Sequence, residues 1–228
     1  MSLLSGARGK FILGDNTHGL RPDLSLVASM IEPGTRLLDV GCGDGALLEY
    51  LVKHKGCDGR GMEISQAGVN ACVARGLSVI QGDADRHLKD YPDDSFDYVV
   101  LSQTLQAVRR PREVLLQMLR LADTAIVSFL NYGHWQARWS MVWRGRMPHT
   151  RVLSTPWFET ANIHACTVRD FVDLTKILGL KTGKAYGLAK EREVTSIVPN
   201  FEGQANLFAE QAVFELLRPE APKGRRRR

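Results

Sequence analysis

Short runs of apolar residues alternate with segments of helical periodicity over the first two thirds of the chain. The apolar runs predict strands at 36–40, 59–64, 77–81, 96–101 and 124–130. Between them, the periodicity predicts helices at 45–55, 65–75 and 111–122, and Pro22 marks the start of an earlier helix that Pro33-Gly34 ends. Such alternation is typical of right-handed crossovers and a mostly parallel sheet.

The last third of the chain has a different pattern. Thr167 is placed to cap a helix over 168–178, and Gly179 is placed to end it. Two further apolar runs, 182–188 and 205–217, show no helical pattern between them, so we expect an antiparallel pair at one edge of the sheet. The pattern therefore predicts an α/β, Rossmann-like fold with helices on both faces of the sheet.

The domain organisation follows from the same pattern and from the charges. We predict one domain over 1–218, with 131–166 as an inserted segment and 219–228 as a basic tail. Five of the last six residues are Lys or Arg, and the rest of the chain has 25 basic and 25 acidic residues, although the whole chain carries +5. A nucleic-acid partner is therefore not expected, and the tail is either solvated or in weak contact with an anionic surface.

Composition narrows the cellular setting. Hydrophobic residues make up 44% of the chain and charged residues 24%, which is ordinary for a globular protein. No stretch of roughly 18 apolar residues predicts a membrane span, and the first twenty residues do not resemble a signal peptide. The four cysteines form no C-x-x-C pair and have no neighbouring histidine cluster, so we expect free thiols, no metal site and a cytoplasmic location.

The segment RLLDVGCGDGALLEYL, residues 36–51, carries the first chemical signal. Three glycines lie within five residues, between a predicted strand and a predicted helix. Glycine allows positive φ and leaves room for a ligand beside the backbone, and a helix N-terminus attracts an anionic group. The glycines fit a dinucleotide site for NAD as well, and a tight turn that binds nothing is a further alternative; a P-loop is excluded because no Gly-Lys-Ser/Thr follows.

Acidic residues at successive strand ends favour one ligand class. Asp39 lies two residues before the first glycine, Glu63 ends the second strand, and Asp83 follows the third. Ser102 and Gln103 stand at the exit of the fourth strand. A carboxylate can accept hydrogen bonds from ribose hydroxyls, but it repels a pyrophosphate. The set therefore favours a ligand with an amino group, a ribose and an adenine.

The motifs LLDVGCGDG, GMEIS, QGDAD and FDYVVLSQTL, within about residues 34–130, resemble those of class I methyltransferases, which bind S-adenosylmethionine. The resemblance implies their seven-stranded sheet with an antiparallel edge strand. It also implies that Asp39 and the glycine backbone hold the methionine part, Glu63 the ribose, and Asp83 with the Ala84 amide the adenine, against Ile64. The full set of implied cofactor-binding residues is Asp39, Gly41, Cys42, Gly43, Asp44, Gly45, Glu63, Ile64, Asp83, Ala84, Ser102 and Gln103.

A narrower resemblance extends over about residues 19–190. The segments RPDLSLVASMIEPGTRLLDVGCGDGALLEYL, SQTLQAVRRP and TPWFETANIHACTVRDF are similar to the MetW family of methionine-biosynthesis proteins. That family has the methyltransferase fold and is associated with homoserine O-acyltransferase. The resemblance implies a protein that binds S-adenosylmethionine or S-adenosylhomocysteine and acts as an accessory, activating partner of that acyltransferase.

The sequence offers little catalytic apparatus, although methyl transfer depends mainly on positioning. LSQT stands where amino methyltransferases carry Asp/Asn-Pro-Pro-aromatic, and Gln106 lies where many small-molecule methyltransferases carry a histidine. His134 and His164, near the two ends of the inserted segment, are the remaining candidates for a base. An active methyltransferase on a small molecule, and an NAD-linked oxidoreductase, stay open as alternatives.

The inserted segment holds all four tryptophans of the chain. Trp135, Trp139 and Trp143 recur at a spacing of four and would share one helical face. Four arginines accompany them. Three readings are open: the helix packs on the domain, it forms a docking face or lid, or its rings stack on the bases of a single strand.

Overall fold

The computed structural model describes residues 10–12, 19–190, 192–198 and 202–219. The strands in these ranges are β1 (Lys10–Ile12), β2 (Arg36–Val40), β3 (Asp58–Glu63), β4 (Ser78–Gln81), β5 (Tyr98–Ser102), β6 (Thr124–Leu130), β7 (Lys181–Ala189), β8 (Glu193–Ser196) and β9 (Gln211–Leu217). The helices are α1 (Pro22–Met30), α2 (Ala46–Lys55), α3 (Gln66–Ala74), α4 (Ala84–His87), α5 (Pro111–Leu121), α6 (Trp135–Arg144), α7 (Val168–Ile177) and α8 (Glu202–Phe208).

The described strands form one sheet in the order β1-β8-β7-β9-β6-β5-β2-β3-β4. The five strands from β6 to β4 run parallel, and β9, β7, β8 and β1 extend the sheet through antiparallel pairs. The predicted α/β fold is confirmed, with nine strands in place of seven and a wider antiparallel part. The extra strands, β1 and β8, have only three and four residues, too few for an apolar pattern to predict.

One prediction for the last third is wrong. The runs 182–188 and 205–217 do supply an antiparallel pair, β7 with β9, in which Ala185 faces Phe214. However, the second run divides into α8 and β9. In addition, β8, which lies between β7 and β9 in the chain, pairs with the other side of β7, so the β7–β9 pair is not at the edge of the sheet. A helix of seven residues spans only two turns, so its periodicity cannot be told from an apolar run. Ala205 and Asn206 are the buried residues of α8.

The predicted helix ends are confirmed at both proline and threonine signals. Pro22 is the first residue of α1, which ends before Pro33. The Thr167 hydroxyl accepts a hydrogen bond from the Asp170 backbone N–H at 3.2 Å, and the Asp170 carboxylate accepts one from the Thr167 N–H at 2.9 Å. This reciprocal pair fixes the start of α7. Gly179, with φ of +64°, follows the end of that helix.

The core lies on both faces of the sheet. Leu37 and Val100 pack among residues of α1, α2 and α3 on one face, whereas Phe129 packs on the other face among residues of α5 and α7. The ring of Phe129 lies 4.7 Å from that of Phe171. The helices on both faces leave the carboxyl ends of β2, β3, β4 and β5 together at one edge of the sheet, because parallel strands end on the same side.

Three further predictions concern the basic tail, membrane-spanning helices and the inserted segment. The basic tail at 219–228 lies outside the described residues beyond Pro219. Among the residues that the structure describes, no helix combines the length and apolar character that a membrane crossing requires. The segment 131–166, which we call the tryptophan segment, contains α6 and otherwise irregular backbone between β6 and α7.

Candidate functional site

The candidate site starts at the loop of residues 41–45 between β2 and α2, which we call the glycine loop. Gly41, Gly43 and Gly45 have φ of +73°, +58° and +79°, a region that only glycine adopts at little cost. The Gly41 N–H donates to the Met62 carbonyl at 2.7 Å, and the Cys42 N–H donates to the same oxygen at 3.3 Å. These bonds fix the loop to the end of β3.

The three glycines differ in the space beside them. A Cβ on Gly41 would lie 2.7 Å from the Thr104 methyl carbon, and one on Gly45 would lie 2.6 Å from a Leu77 methyl carbon. A Cβ on Gly43 would meet nothing within 4 Å. The glycine loop is therefore closely packed at its two ends and open at its middle, where a ligand can reach the backbone.

Glu63 supports the glycine loop from the end of β3. Its carboxylate is buried and accepts the Gly43 N–H at 2.9 Å and the Ser65 N–H at 2.8 Å. A Cβ on Gly68 would lie 2.7 Å from the Glu63 Cγ, so that glycine in α3 makes room for this side chain. Sequence reasoning missed this structural role. Each carboxylate oxygen has two lone pairs, so one acceptor site per oxygen remains for a ligand.

Asp39 has a buried carboxylate oxygen that lacks a hydrogen-bond partner among the described residues. Only 2% of this residue is exposed, and its Oδ1 atom has no hydrogen-bond partner among the described residues. Burial, with repulsion from Glu63 as the second cause, raises the pKa of Asp39 to about 7. A buried, unpartnered carboxylate is costly. The position therefore suits a ligand that brings a cation or a hydrogen-bond donor, such as the amino group of S-adenosylmethionine.

Asp83 and Ala84 stand at the start of α4, beyond β4. The Asp83 Oδ1 atom accepts the Asp85 N–H at 2.9 Å, and the Asp83 N–H donates to the His87 Nδ1 atom at 2.8 Å. The other carboxylate oxygen of Asp83 lies 3.7 Å from the Arg86 guanidinium. Ile64, whose backbone follows β3, is 66% exposed. The exposed Ile64 side chain and the partly used Asp83 carboxylate are therefore accessible to a ligand at this end.

Ser102 and Gln103, at the exit of β5, have internal partners. The Ser102 and Ser128 hydroxyls lie 3.1 Å apart, and Gln103 has a φ of +51°, which is uncommon for a residue with a side chain. The Gln103 side-chain amide donates to the buried carboxylate of Asp23 at 2.8 Å. This bond connects the site to α1. Asp23 was not among the predicted site residues, because in the sequence it is only an acidic residue in the first turn of a helix.

The side chains of Asp44 and Cys42 have partners of their own within the chain. The Asp44 carboxylate lies 2.8 Å from the Arg75 guanidinium at the surface. The Cys42 thiol is buried, 3.8 Å from the Cys72 thiol, and burial raises its pKa far above the ordinary value for cysteine. Of the predicted set, the structure thus brings Asp39, Glu63 and the glycine loop together, and it gives Asp44 and Cys42 other partners.

Gln106 and the two candidate bases, His134 and His164, have their hydrogen-bond partners outside the glycine loop. Gln106 is buried, and its side-chain amide forms two hydrogen bonds with the backbone of Leu130. The amide nitrogen donates to the Leu130 carbonyl at 3.0 Å, and the amide oxygen accepts the Leu130 N–H at 3.1 Å. His134 is a helix cap whose Nδ1 atom accepts the Gln136 N–H at 3.3 Å, and burial lowers its pKa. His164 is exposed and lies 3.3 Å from the Arg109 carbonyl. In the ranges that the structure describes, no group of three or more His, Cys, Asp and Glu side chains could hold a metal ion.

Comparison with known families gives a match over most of the chain. The family model for methionine biosynthesis protein MetW matches residues 21–216. A bifunctional methionine biosynthesis protein MetXA/MetW from Rhodopirellula baltica is 35% identical over 164 residues, which cover 68% of this chain and 26% of that protein. A fatty-acid O-methyltransferase from Mycolicibacterium smegmatis is 32% identical over 90 residues, or 37% of this chain and 32% of that enzyme. The chain thus spans about a quarter to a third of the length of these two relatives.

Solved structures agree on the fold. An S-adenosylmethionine-dependent methyltransferase from Mesorhizobium loti superposes with a TM-score of 0.64 over 89% of this chain and 100% of that one, at 18% identity. Identity this low carries the architecture and not the activity. The class I methyltransferase-like fold is therefore confirmed.

Proposed function

The chain belongs to the MetW family of methionine biosynthesis proteins, and from this premise we propose that it binds S-adenosylmethionine and acts as an accessory, activating partner of homoserine O-acyltransferase. The observation that carries the partnership is the relative that combines a MetXA part and a MetW part in one protein. Fusion of two proteins raises their effective concentration, which benefits components that work in contact.

The unpartnered Oδ1 atom of Asp39 is the best support for the ligand. Asp39 and the backbone of the glycine loop would hold the amino-acid part, and Glu63 would accept from the ribose hydroxyls. Asp83 with the Ala84 amide would hold the adenine, against Ile64. S-adenosylmethionine, when bound, supplies a methyl group activated by a sulfonium. S-adenosylhomocysteine lacks that methyl group and offers the same amino, ribose and adenine groups.

A reducing, cytoplasmic setting is part of the proposal. All four cysteines are free thiols, and the thiols of Cys42 and Cys72, 3.8 Å apart, form a hydrogen bond and no disulfide. Disulfides are rare in reducing compartments.

Titration calorimetry tests the ligand. We expect the purified chain to bind S-adenosylmethionine and S-adenosylhomocysteine and to show no heat with NAD, since carboxylates at Asp39, Glu63 and Asp83 disfavour a pyrophosphate. Binding of NAD alone would replace the proposal with the oxidoreductase alternative.

An activity assay tests the partnership. The acyltransferase of the same organism is purified alone, and its rate of acyl transfer to homoserine is measured with and without the chain, each at saturating and zero S-adenosylmethionine. We expect a higher rate or a higher thermal midpoint of the acyltransferase when the chain is present. Identical rates and midpoints in all four conditions would refute the accessory role.

A working methyltransferase is the second candidate, favoured by the likeness to the fatty-acid O-methyltransferase over 90 residues. Gln106 counts against methyltransferase activity, because its amide cannot serve as a base and forms two hydrogen bonds with the backbone of Leu130. Transfer of labelled methyl from S-adenosylmethionine to a metabolite or fatty-acid extract would establish this activity. A blank result across extracts leaves the accessory role as the better description.

A further inference from the structure

The tryptophan segment presents large apolar side chains to solvent. Trp139 is 56% exposed, Trp143 69% and Trp157 70%. The helix α6 packs on the domain through Ala137, its one buried residue, beside Leu130 and Leu153, and its tryptophan face stays largely exposed. Trp139 and Trp143 are in ring contact, and contiguous exposed apolar surface marks interaction sites in globular proteins.

Local contacts fix the start of α6, and two of its exposed rings contact each other. His134 caps the start of α6, and the Arg138 guanidinium donates to the Gly133 carbonyl at 2.6 Å. The rings of Trp139 and Trp143 lie 4.9 Å apart. Rigid aromatic groups lose little conformational entropy on binding, so a surface arranged in this way is suited to a protein partner.

Charge around the rings selects the kind of partner. Arg144 and Arg146 are exposed beside Trp143, and the sequence from 124 to 158 has no acidic residue. Tryptophan and arginine are the residue types most enriched at binding hot spots. The complementary surface is an apolar pocket rimmed by carboxylates.

We infer that the partner docked on this aromatic and basic surface is homoserine O-acyltransferase, an inference that rests on the proposed function. A second copy of the chain fits poorly, because a two-fold interface would place like-charged arginines against each other. A single nucleic-acid strand also fits poorly, because basic and acidic residues balance in the sequence before the last six residues.

The experiment measures the affinity of the full chain for the purified acyltransferase. The test variants are Trp139→Ala, Trp143→Ala and the double charge reversal Arg144→Glu with Arg146→Glu. Matched controls are Phe208→Ala, an exposed aromatic on α8, and Arg112→Glu, an exposed arginine on α5. Each variant is checked for an unchanged thermal midpoint and unchanged S-adenosylhomocysteine affinity.

We expect each tryptophan variant to weaken the complex about tenfold or more, and the charge reversal to slow association about tenfold with a dependence on salt. The two controls should bind as the unchanged chain does. Test variants that bind normally would overturn this surface and leave the proposed function standing. An unchanged chain that does not bind the acyltransferase would refute the proposed function itself.

Sedimentation tests whether a second copy of the chain binds this surface, and titration with a fluorescent oligothymidylate tests whether a nucleic-acid strand does. A dimer of the unchanged chain that dissociates in the Trp143→Ala variant would assign the surface to a second copy and overturn the inference. Tight oligothymidylate binding that is lost in the same variant would assign it to nucleic acid and overturn it equally. A monomer without affinity for the oligonucleotide supports the acyltransferase as the occupant.

Discussion

The glycine loop and the tryptophan segment are built in opposite ways. Around the glycine loop, polar groups are buried and the backbone packs so closely that Gly41 and Gly45 have no room for a Cβ. In the tryptophan segment, the large apolar groups are at the surface, and Gly145, which ends α6, would accept a Cβ with nothing within 4 Å. The first region buries polar groups, which are ordinarily in contact with water. The second region exposes large apolar side chains, which are ordinarily buried.

The buried polar group and the exposed apolar surface indicate binding partners of different size. A buried carboxylate oxygen without a partner, as in Asp39, is satisfied by a small ligand that enters the loop. Exposed tryptophans on a short helix are removed from water only by a protein surface that is large enough to cover them. The comparison therefore separates ligand binding from partner binding, and substitutions in one region should leave the other function intact.

Within the two regions compared, the largest expected effect on stability is that of Gly41→Ala, with Gly145→Ala as its counterpart. Both positions have positive φ, so each alanine costs about 1–2 kcal/mol of backbone strain. At Gly41 the new Cβ also collides with Thr104, which adds about 1–3 kcal/mol of overpacking. Urea unfolding should therefore show a free energy of unfolding about 3 kcal/mol lower for Gly41→Ala and about 1 kcal/mol lower for Gly145→Ala. Equal losses would mean that the loop is not closely packed at Gly41.

Next in size is Asp39→Asn, measured by calorimetry with S-adenosylhomocysteine. Loss of the charge should weaken binding by about tenfold to a hundredfold, because a hydrogen bond to a charged group contributes about 1.5–3 kcal/mol. The matched control is Asp44→Asn, at an exposed carboxylate paired with Arg75, which should change the affinity less than threefold, about 0.6 kcal/mol or less. Similar losses in the two variants would remove Asp39 from the ligand site.

The pKa of Asp39 adds a pH dependence with a defined sign. Because its folded pKa of about 7 lies above the ordinary value near 4, the ligand-free native state keeps a proton that the unfolded state has lost. The contribution of Asp39 to the free energy of unfolding should thus fall as pH rises from about 4 to 7, by at most about 1.4 kcal/mol per pH unit, and level off above 7. Affinity for S-adenosylhomocysteine should rise over the upper part of that range. Both dependences should be weaker in Asp39→Asn.

Glu63→Gln should have a smaller, mixed effect. The amide keeps one oxygen, so it can still accept either the Gly43 or the Ser65 N–H, but it loses one of the two bonds at 2.8–2.9 Å. We expect about 1 kcal/mol lost both in unfolding free energy and in S-adenosylhomocysteine binding. Glu63→Ala would be less informative, because it removes both supports of the glycine loop at once. Loss of affinity with unchanged stability would mean that Glu63 acts on the ligand alone.

The sequence predicted those parts of the fold and site that depend on local pattern. The parallel strands, the Thr167 cap and the glycine loop follow from periodicity, capping and φ preference. It did not predict the two bonds of Glu63, the amide of Gln103 on Asp23, or the division of 205–217. The Gln103–Asp23 bond joins residues 80 positions apart, and the bond of Glu63 to Gly43 joins residues 20 positions apart, whereas α8 is too short for its periodicity to be recognised. A single sequence carries no record of such neighbours.

The smallest expected effect is on stability in the tryptophan segment, and it is the sharpest test of the contrast. Trp143→Ala removes the largest type of side chain, yet 69% of it is exposed, so the free energy of unfolding should change by no more than about 0.5 kcal/mol. The buried Phe129, replaced in the same way, should cost about 3–5 kcal/mol. Urea unfolding and S-adenosylhomocysteine titration of both variants suffice. A loss above about 1.5 kcal/mol in Trp143→Ala would mean that this ring packs within the chain, and the segment would then be part of the core and not a surface awaiting a partner.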